Sequence, residues 1–195
     1  CQKIGAGVAP DEFYTWKMGI RECFTISNYF TVDRLRAFDE KLPVPYRNIE
    51  MKFETALPVC NISFLTGITK LEILHLKNCE LTLPSSVENL QLSYSTGVSL
   101  SGTENLTSLN VSNDTVTSTP CPKLLKLVWN GKILSEKKLP CSFNGLTALS
   151  KLFVEVISIN PNFSFPTQLE SLKLSMYPGR VDVSLLTTLT RLQKL

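Results

Sequence analysis

One spacing of apolar residues recurs along this chain of 195 residues. In the stretch LEILHLKNCEL at 71–81, leucines stand at positions 71, 74, 76 and 81. The first three form the pattern L-x-x-L-x-L. Five further copies follow, with successive starts 16, 19, 18, 25 and 20 residues apart. Those copies begin at Val87, Leu106, Leu124, Leu149 and Leu169. Weaker copies begin at Ile20 and Tyr46. Repeats at this period predict a solenoid in which each repeat forms one coil.

The spacing has a simple physical explanation. A short strand around Leu74–His75–Leu76 points alternate side chains to opposite faces, so the leucines face inward and His75 faces outward. In this register Ile73 also faces outward. A turn follows, and Cys79 is predicted to fill a small buried space beneath it. One coil cannot bury its own row of leucines, but stacked coils can.

The segments that precede the strands also recur. Residues 65–74 match residues 186–195 at every third position, where both carry leucine or isoleucine. This match places Leu192 and Leu195 at the first two apolar positions of another repeat. No polar capping repeat follows, so we expect the chain to be a fragment of a longer repeat protein, truncated within a repeat.

The first third of the chain differs from the rest. Residues 11–18 and 31–43 have the spacing of short helices, which predicts an N-terminal region over 1–64 built of weak, longer repeats that contain helix. The alternative is a small N-terminal cap with its own fold. From 65 to 195, prolines shortly before the strands, as in LPSSVENLQL, favour extended return segments over helices.

Six good copies of the motif make the chain resemble the leucine-rich-repeat family. The resemblance implies an α/β solenoid with a parallel sheet on the concave side, mostly short or extended convex segments, and some helix near the N-terminus. Cys79 is similar to the cysteine in repeats of F-box ubiquitin-ligase receptors. The other copies depart from that pattern, with Ser95, Asp114, Lys132, Ile157 and Tyr177 at the equivalent position.

Function in this family lies on the outward positions of the concave strands, so the resemblance implies a non-catalytic protein–protein interaction scaffold. The central outward column is predicted to be His75, Gln91, Asn110, Val128, Phe153 and Lys173. Val128 and Phe153 give it an apolar pair beside Lys126 and Lys151, and we predict a contact site there. The alternative is an ordinary surface that a loop or partner element covers. Trp129 takes a leucine position and is predicted to lie in the core.

Other functional classes find little support in the sequence. His75 is the single histidine, no Cys-x-x-Cys occurs, and no phosphate-binding glycine motif is complete, which argues against an enzyme, a metal site or a cofactor. The net charge of +3 is too small to indicate nucleic-acid binding. No apolar run reaches the ~18 residues of a membrane-spanning helix, so no membrane insertion is expected in this segment.

Five glycosylation sequons bear on the compartment. Asn61, Asn105 and Asn162 are the sites expected to be modified if the protein is secreted; the other two, at Asn110 and Asn113, are poorly placed. This number exceeds chance only slightly, and no cysteine cluster resembles a secreted cap, which favours an intracellular protein. One hypothesis is therefore the substrate-recognition part of a larger intracellular, F-box-like protein. The alternative is an extracellular, glycosylated recognition or adhesion ectodomain.

Overall fold

The computed structural model shows a solenoid built almost entirely of parallel β-strands. The structure describes residues 2–4, 23–26, 48–52, 59–65, 67–74, 76–112, 116–118, 120–131, 133–134, 146–159, 163–176 and 182–195. The prediction of a solenoid with a parallel sheet is confirmed for these residues.

Nine strands, numbered in chain order, form the front sheet. In spatial order they are β1 (Gln2–Ile4), β2 (Cys23–Ile26), β3 (Asn48–Lys52), β5 (Lys70–Leu74), β7 (Asn89–Ser93), β9 (Ser108–Ser112), β11 (Lys126–Asn130), β13 (Lys151–Val156) and β15 (Ser171–Met176). Each strand pairs in parallel with the next, so successive coils stack in order along one axis.

Two further sheets form on the return segments. The second sheet contains β4 (Val59–Asn61), β6 (Lys77–Thr82), β8 (Thr96–Ser101) and β10 (Val116–Ser118). A third, two-stranded sheet pairs β12 (Ile133–Leu134) with β14 (Ser158–Ile159). Where these sheets form, the return segments are extended, as the prolines predicted.

The predicted helical content is not found in the described residues. They contain a single short helix, the 3₁₀ turn Val183–Leu186, so the α/β assignment is wrong for this part of the chain, which is a β-solenoid. A 19-residue coil holds a front strand, two turns and a six-residue return strand, which leaves no room for a helix. The helices predicted at 11–18 and 31–43 lie outside the described residues.

The front sheet contributes two apolar rows to the core, and the return segments and turns supply the rest. Leu90 pairs with Leu109, and that row continues through Leu127, Leu152 and Leu172, all of which are buried. The second row comprises Ile73, Leu92, Val111, Trp129 and Val154. The predicted register is confirmed for every copy from Val87 onward, and Trp129, with 0% of its surface exposed, is a core residue as predicted.

The register predicted for the first copy is wrong by three residues. Leu71, not Leu74, pairs with Leu90, and Ile73 pairs with Leu92. Leucine or isoleucine stands at every third position from 65 to 74, so the motif fits this stretch in more than one register. The observed register buries Ile73, Leu76 and Leu81 together. Ile73, predicted to face outward, has no exposed surface.

Of the two weaker upstream copies, one has the predicted register and the other does not. Ile49 pairs with Leu71, so that copy has the predicted register but lies closer to the next copy than predicted. In β2 the register aligns Phe24 with Ile49. The predicted positions, Cys23 and Thr25, are therefore wrong by one residue.

A repeated tight turn leads into each front strand. The amide of Val87 donates to the carbonyl of Pro84 at 3.1 Å, and the same bond recurs between Leu106 and Thr103 and between later pairs. The next two amides of each coil both donate to one carbonyl of the preceding coil, as Glu88 and Asn89 do to Thr69. These bonds satisfy the buried backbone at the corner and fix the front strands in register.

A buried serine side chain forms hydrogen bonds at another corner of the coil. Ser95, 1% exposed, stands where the preceding coil has Leu76, 19 residues earlier. Its hydroxyl accepts a bond from the Leu76 amide at 3.1 Å and donates to the Ser93 carbonyl at 3.2 Å. The serine thus pairs backbone groups that the narrow coil would otherwise leave unsatisfied.

Among the described residues, no helix has the length and apolar character required to cross a lipid bilayer.

Candidate functional site on the outer face of the front sheet

The outer face of the front sheet carries the residues that the sequence predicts for partner binding. Its central row consists of Glu72, Gln91, Asn110, Val128, Phe153 and Lys173, each aligned with the next across parallel strands. Five of these six residues were predicted. The first is corrected: Glu72 takes the position predicted for His75, because the register of the first copy shifts by three. His75 itself lies outside the described residues.

The first half of this row is polar and its side chains bond to one another. The amide nitrogen of Gln91 donates to the Glu72 carboxylate at 2.7 Å and to the Ser93 hydroxyl at 3.3 Å. These three side chains, together with Asn110 in the next strand, are half-buried. Glu72 and Gln91 are therefore already hydrogen-bonded to each other within the sheet.

The second half of the row is apolar at its centre. Val128 is aligned with Phe153 on the neighbouring strand, as the sequence predicts. Phe153 is 39% exposed, while Val128 is half-buried. The ammonium group of Lys173 lies 4.4 Å from the centre of the Phe153 ring, a cation–π contact with the next strand. One aromatic side chain and one aliphatic side chain thus meet at the surface of a rigid sheet.

Lysines flank this apolar pair. Lys126 and Lys151 are aligned on neighbouring strands, and both are exposed. Neighbouring front strands lie about 4.8 Å apart, so these two positively charged side chains extend from adjacent backbone positions. The term contact patch is used below for five residues: Lys126, Val128, Lys151, Phe153 and Lys173.

Two features of the outer surface were missed from the sequence. Leu125, 49% exposed, directly precedes β11 and is an exposed apolar residue next to Lys126 in the chain. Glu72 was missed because the first copy was set in the wrong register. A search for the 19-residue spacing from Ile68 to Val87 would have found the correct one, since the next copy, at Leu106, follows Val87 at the same spacing.

The predicted glycosylation sites differ in their surroundings. The side-chain oxygen of Asn61, an exposed residue at the end of β4, accepts bonds from the amide and hydroxyl of Ser63 at 3.0 and 2.7 Å. Asn105 bridges three coils: its amide nitrogen donates to the Ser85 carbonyl at 2.8 Å, and its oxygen accepts from Lys123 at 2.7 Å. Asn162 lies outside the described residues.

The side chains of Cys60, Cys79 and Cys121 are buried. Cys79 is 2% exposed, which confirms that it fills a buried space, although it lies in β6 of the second sheet and not beneath a turn. The thiol of Cys60 donates a hydrogen bond to Cys79, and this bond together with burial raises the pKa of Cys60 well above its ordinary value. Within the described residues, no group of three or more His, Cys, Asp or Glu side chains is placed to hold a metal ion.

The chain was compared with protein-family models, with curated proteins and with solved structures. None of the three comparisons found a match.

Proposed function

We propose that this protein is a non-catalytic binding scaffold of the leucine-rich-repeat type, which recognises a protein partner through the outer face of its front sheet. The observation that carries the proposal is the pairing of Val128 with the exposed ring of Phe153 among three lysines. Apolar side chains exposed singly are ordinary on protein surfaces, but an aligned pair with a polar rim is typical of the centre of a binding site.

The sheet that carries the pair favours specific recognition. β11 and β13 are held by parallel pairing on both sides, β11 by β9 and β13 by β15. Under them, Trp129 and Val154 are buried, which fixes the backbone beneath the patch. A patch on rigid strands loses little conformational entropy when a partner binds, so more of the interaction energy appears as affinity.

We further propose that the scaffold is the substrate-recognition part of a larger intracellular protein. The buried thiols of Cys60 and Cys79, which form no disulfide, support this setting, because reduced cysteines are usual inside cells. The alternative, an extracellular recognition ectodomain, is supported by the exposed sequon at Asn61. Mass spectrometry of the native protein separates the two: occupied sequons would contradict the intracellular setting, and unmodified asparagines with alkylatable thiols would contradict the extracellular one.

The binding proposal is tested by reversing the character of the apolar pair. In the full chain, Val128→Asp combined with Phe153→Asp is expected to lower partner recovery about thirty-fold, the effect of losing ~2 kcal/mol at a binding hot spot. Recovery is measured by affinity purification from cells that express the protein, with quantitative mass spectrometry of the bound proteins.

The matched control is Val59→Asp, which places the same charge at an exposed apolar position of the second sheet. It is expected to leave recovery unchanged. Equal recovery by the wild type and by a folded Val128→Asp/Phe153→Asp variant would overturn the proposed binding surface.

A further inference from the structure

The charges on the front sheet are unevenly distributed along its axis. The outward positions of β11, β13 and β15 carry three lysines, Lys126, Lys151 and Lys173, against one acid, Glu155. The outward positions of β5, β7 and β9 carry one lysine, Lys70, and one acid, Glu72. The excess of positive charge is therefore confined to the strands that carry the apolar pair.

The placement of two of these lysines is unfavourable for the isolated protein. Lys126 and Lys151 occupy directly aligned positions on neighbouring strands, where like charges repel. An anionic group held between them would convert that repulsion into two attractions. A carboxylate suits the position, because its two oxygens can each accept a hydrogen bond from one ammonium group.

The third lysine keeps a charge at the centre of the patch. The Lys173 ammonium lies over the Phe153 ring, 4.4 Å from its centre, so it is held beside the apolar surface. An apolar side chain of a ligand that contacts Phe153 would therefore have a cation within reach of its neighbouring groups. The site combines an apolar pair with two lysines earlier on the same strands and a third on the neighbouring strand.

We infer that the patch recognises an acidic segment of a partner protein, in which an apolar side chain is flanked by Asp or Glu. The apolar side chain packs on Val128 and Phe153, one carboxylate lies between Lys126 and Lys151, and another meets Lys173. This inference rests on the proposed binding function and adds the chemical class of the partner.

An acidic peptide fits these residues better than a nucleic acid does. Stacked bases need exposed aromatic faces in succession, whereas the patch has a single aromatic side chain, Phe153. Glu155, on the same strand, would also repel a continuous phosphate backbone. A discrete carboxylate can avoid Glu155 by its position in the peptide.

The test is selection from a library of random twelve-residue peptides displayed on phage, with the full chain immobilised. We expect the peptides that depend on Val128 and Phe153 to be enriched in Asp and Glu around an apolar residue. The most enriched peptide is then synthesised and its affinity measured by fluorescence anisotropy.

Charge reversals in the protein provide the matched comparison. Lys126→Glu and Lys151→Glu should each weaken the binding of that peptide about ten-fold or more. Lys70→Glu, at an exposed position of the same row but on β5, should change it less than two-fold. Circular dichroism of every variant confirms that the fold is retained.

The outcomes separate the two proposals. Selected peptides that lose binding with Val128→Asp/Phe153→Asp but lack acidic residues would overturn the acidic partner and leave the binding surface intact. A library that gives no peptide dependent on those two residues would overturn both. Tighter binding of a twenty-nucleotide single-stranded oligonucleotide than of any selected peptide, lost with Lys126→Glu, would also overturn the acidic peptide.

Discussion

Two parts of the front sheet, β5, β7 and β9 on one side and β11, β13 and β15 on the other, have similar buried faces and different outer faces. Leu90 in β7 and Leu152 in β13 are both at most 2% exposed and belong to one continuous row. On the outside, β7 carries Gln91, which bonds to Glu72, while β13 carries Phe153 beneath a lysine. Stacking requires apolar residues on the inside of every coil, whereas the outside is free to vary with function.

The halves also differ in the length of their coils. From β5 to β11, the equivalent leucines at 71, 90, 109 and 127 are 19, 19 and 18 residues apart. The next intervals, to 152 and 172, are 25 and 20 residues. β6, β8 and β10 of the second sheet lie in these regular coils. The contact patch therefore begins where the regular repeat ends, and loop length can change there without breaking the front sheet.

The strongest test of the shared interior compares one core leucine from each half. Leu90→Ala and Leu152→Ala should each lower the free energy of unfolding by about 2–5 kcal/mol, because each leaves a cavity between two neighbouring coils. Urea unfolding followed by circular dichroism measures both. A cost below ~1 kcal/mol in one half alone would show that the halves do not share one core.

The regular half should be more sensitive at its corners. Gly102 has a φ of +74°, and a Cβ there would lie 2.6 Å from the carbonyl oxygen of Leu83 in the preceding coil. Gly102→Ala is therefore expected to cost about 1–3 kcal/mol, from backbone strain and from the lost close approach.

The control for that corner is Ser99→Ala, an exposed position in the strand just before it. It should change the free energy of unfolding by no more than ~0.5 kcal/mol. If both substitutions had the same small effect, tight stacking at this corner would not contribute to stability.

The smallest effect concerns the aligned lysines of the second half. Lys151→Glu places opposite charges beside each other at Lys126 and should raise stability by about 0.2–1 kcal/mol at low salt. The gain should shrink in 0.5 M NaCl, because salt screens exposed charges. Lys70→Glu, aligned with the neutral Asn89, should give no gain. Equal shifts in thermal unfolding for the two variants would argue against repulsion within the patch.

Much of the interior followed from the sequence. The leucine spacing identified the inward rows from Val87 onward, placed Trp129 in the core and set Val128 beside Phe153. At the C-terminal side, Lys194 bridges to Ser171, which agrees with Leu192 as the first apolar position of another repeat. Rows of large apolar residues are readable because each coil must bury the same face.

Other features depended on contacts between coils. Where leucine or isoleucine recurs every third residue, as between 65 and 74, several registers fit the pattern equally well. Only the pairing of Leu71 with Leu90 selects one of them, and the change moves Glu72 to the outer face. The candidate site therefore lost His75 as its first member and gained an acid bonded to Gln91.

By itself, the sequence determined that this chain stacks coils and which side chains form most of its core, because apolar periodicity reflects burial directly. The tertiary structure decided the register of the first coil, the pairing of the return strands into separate sheets, and the contact of Lys173 with Phe153. Each of these depends on which residue of one coil lies against which residue of the next. Such pairings are settled by packing across 18 or more residues of intervening chain, and no local pattern records them.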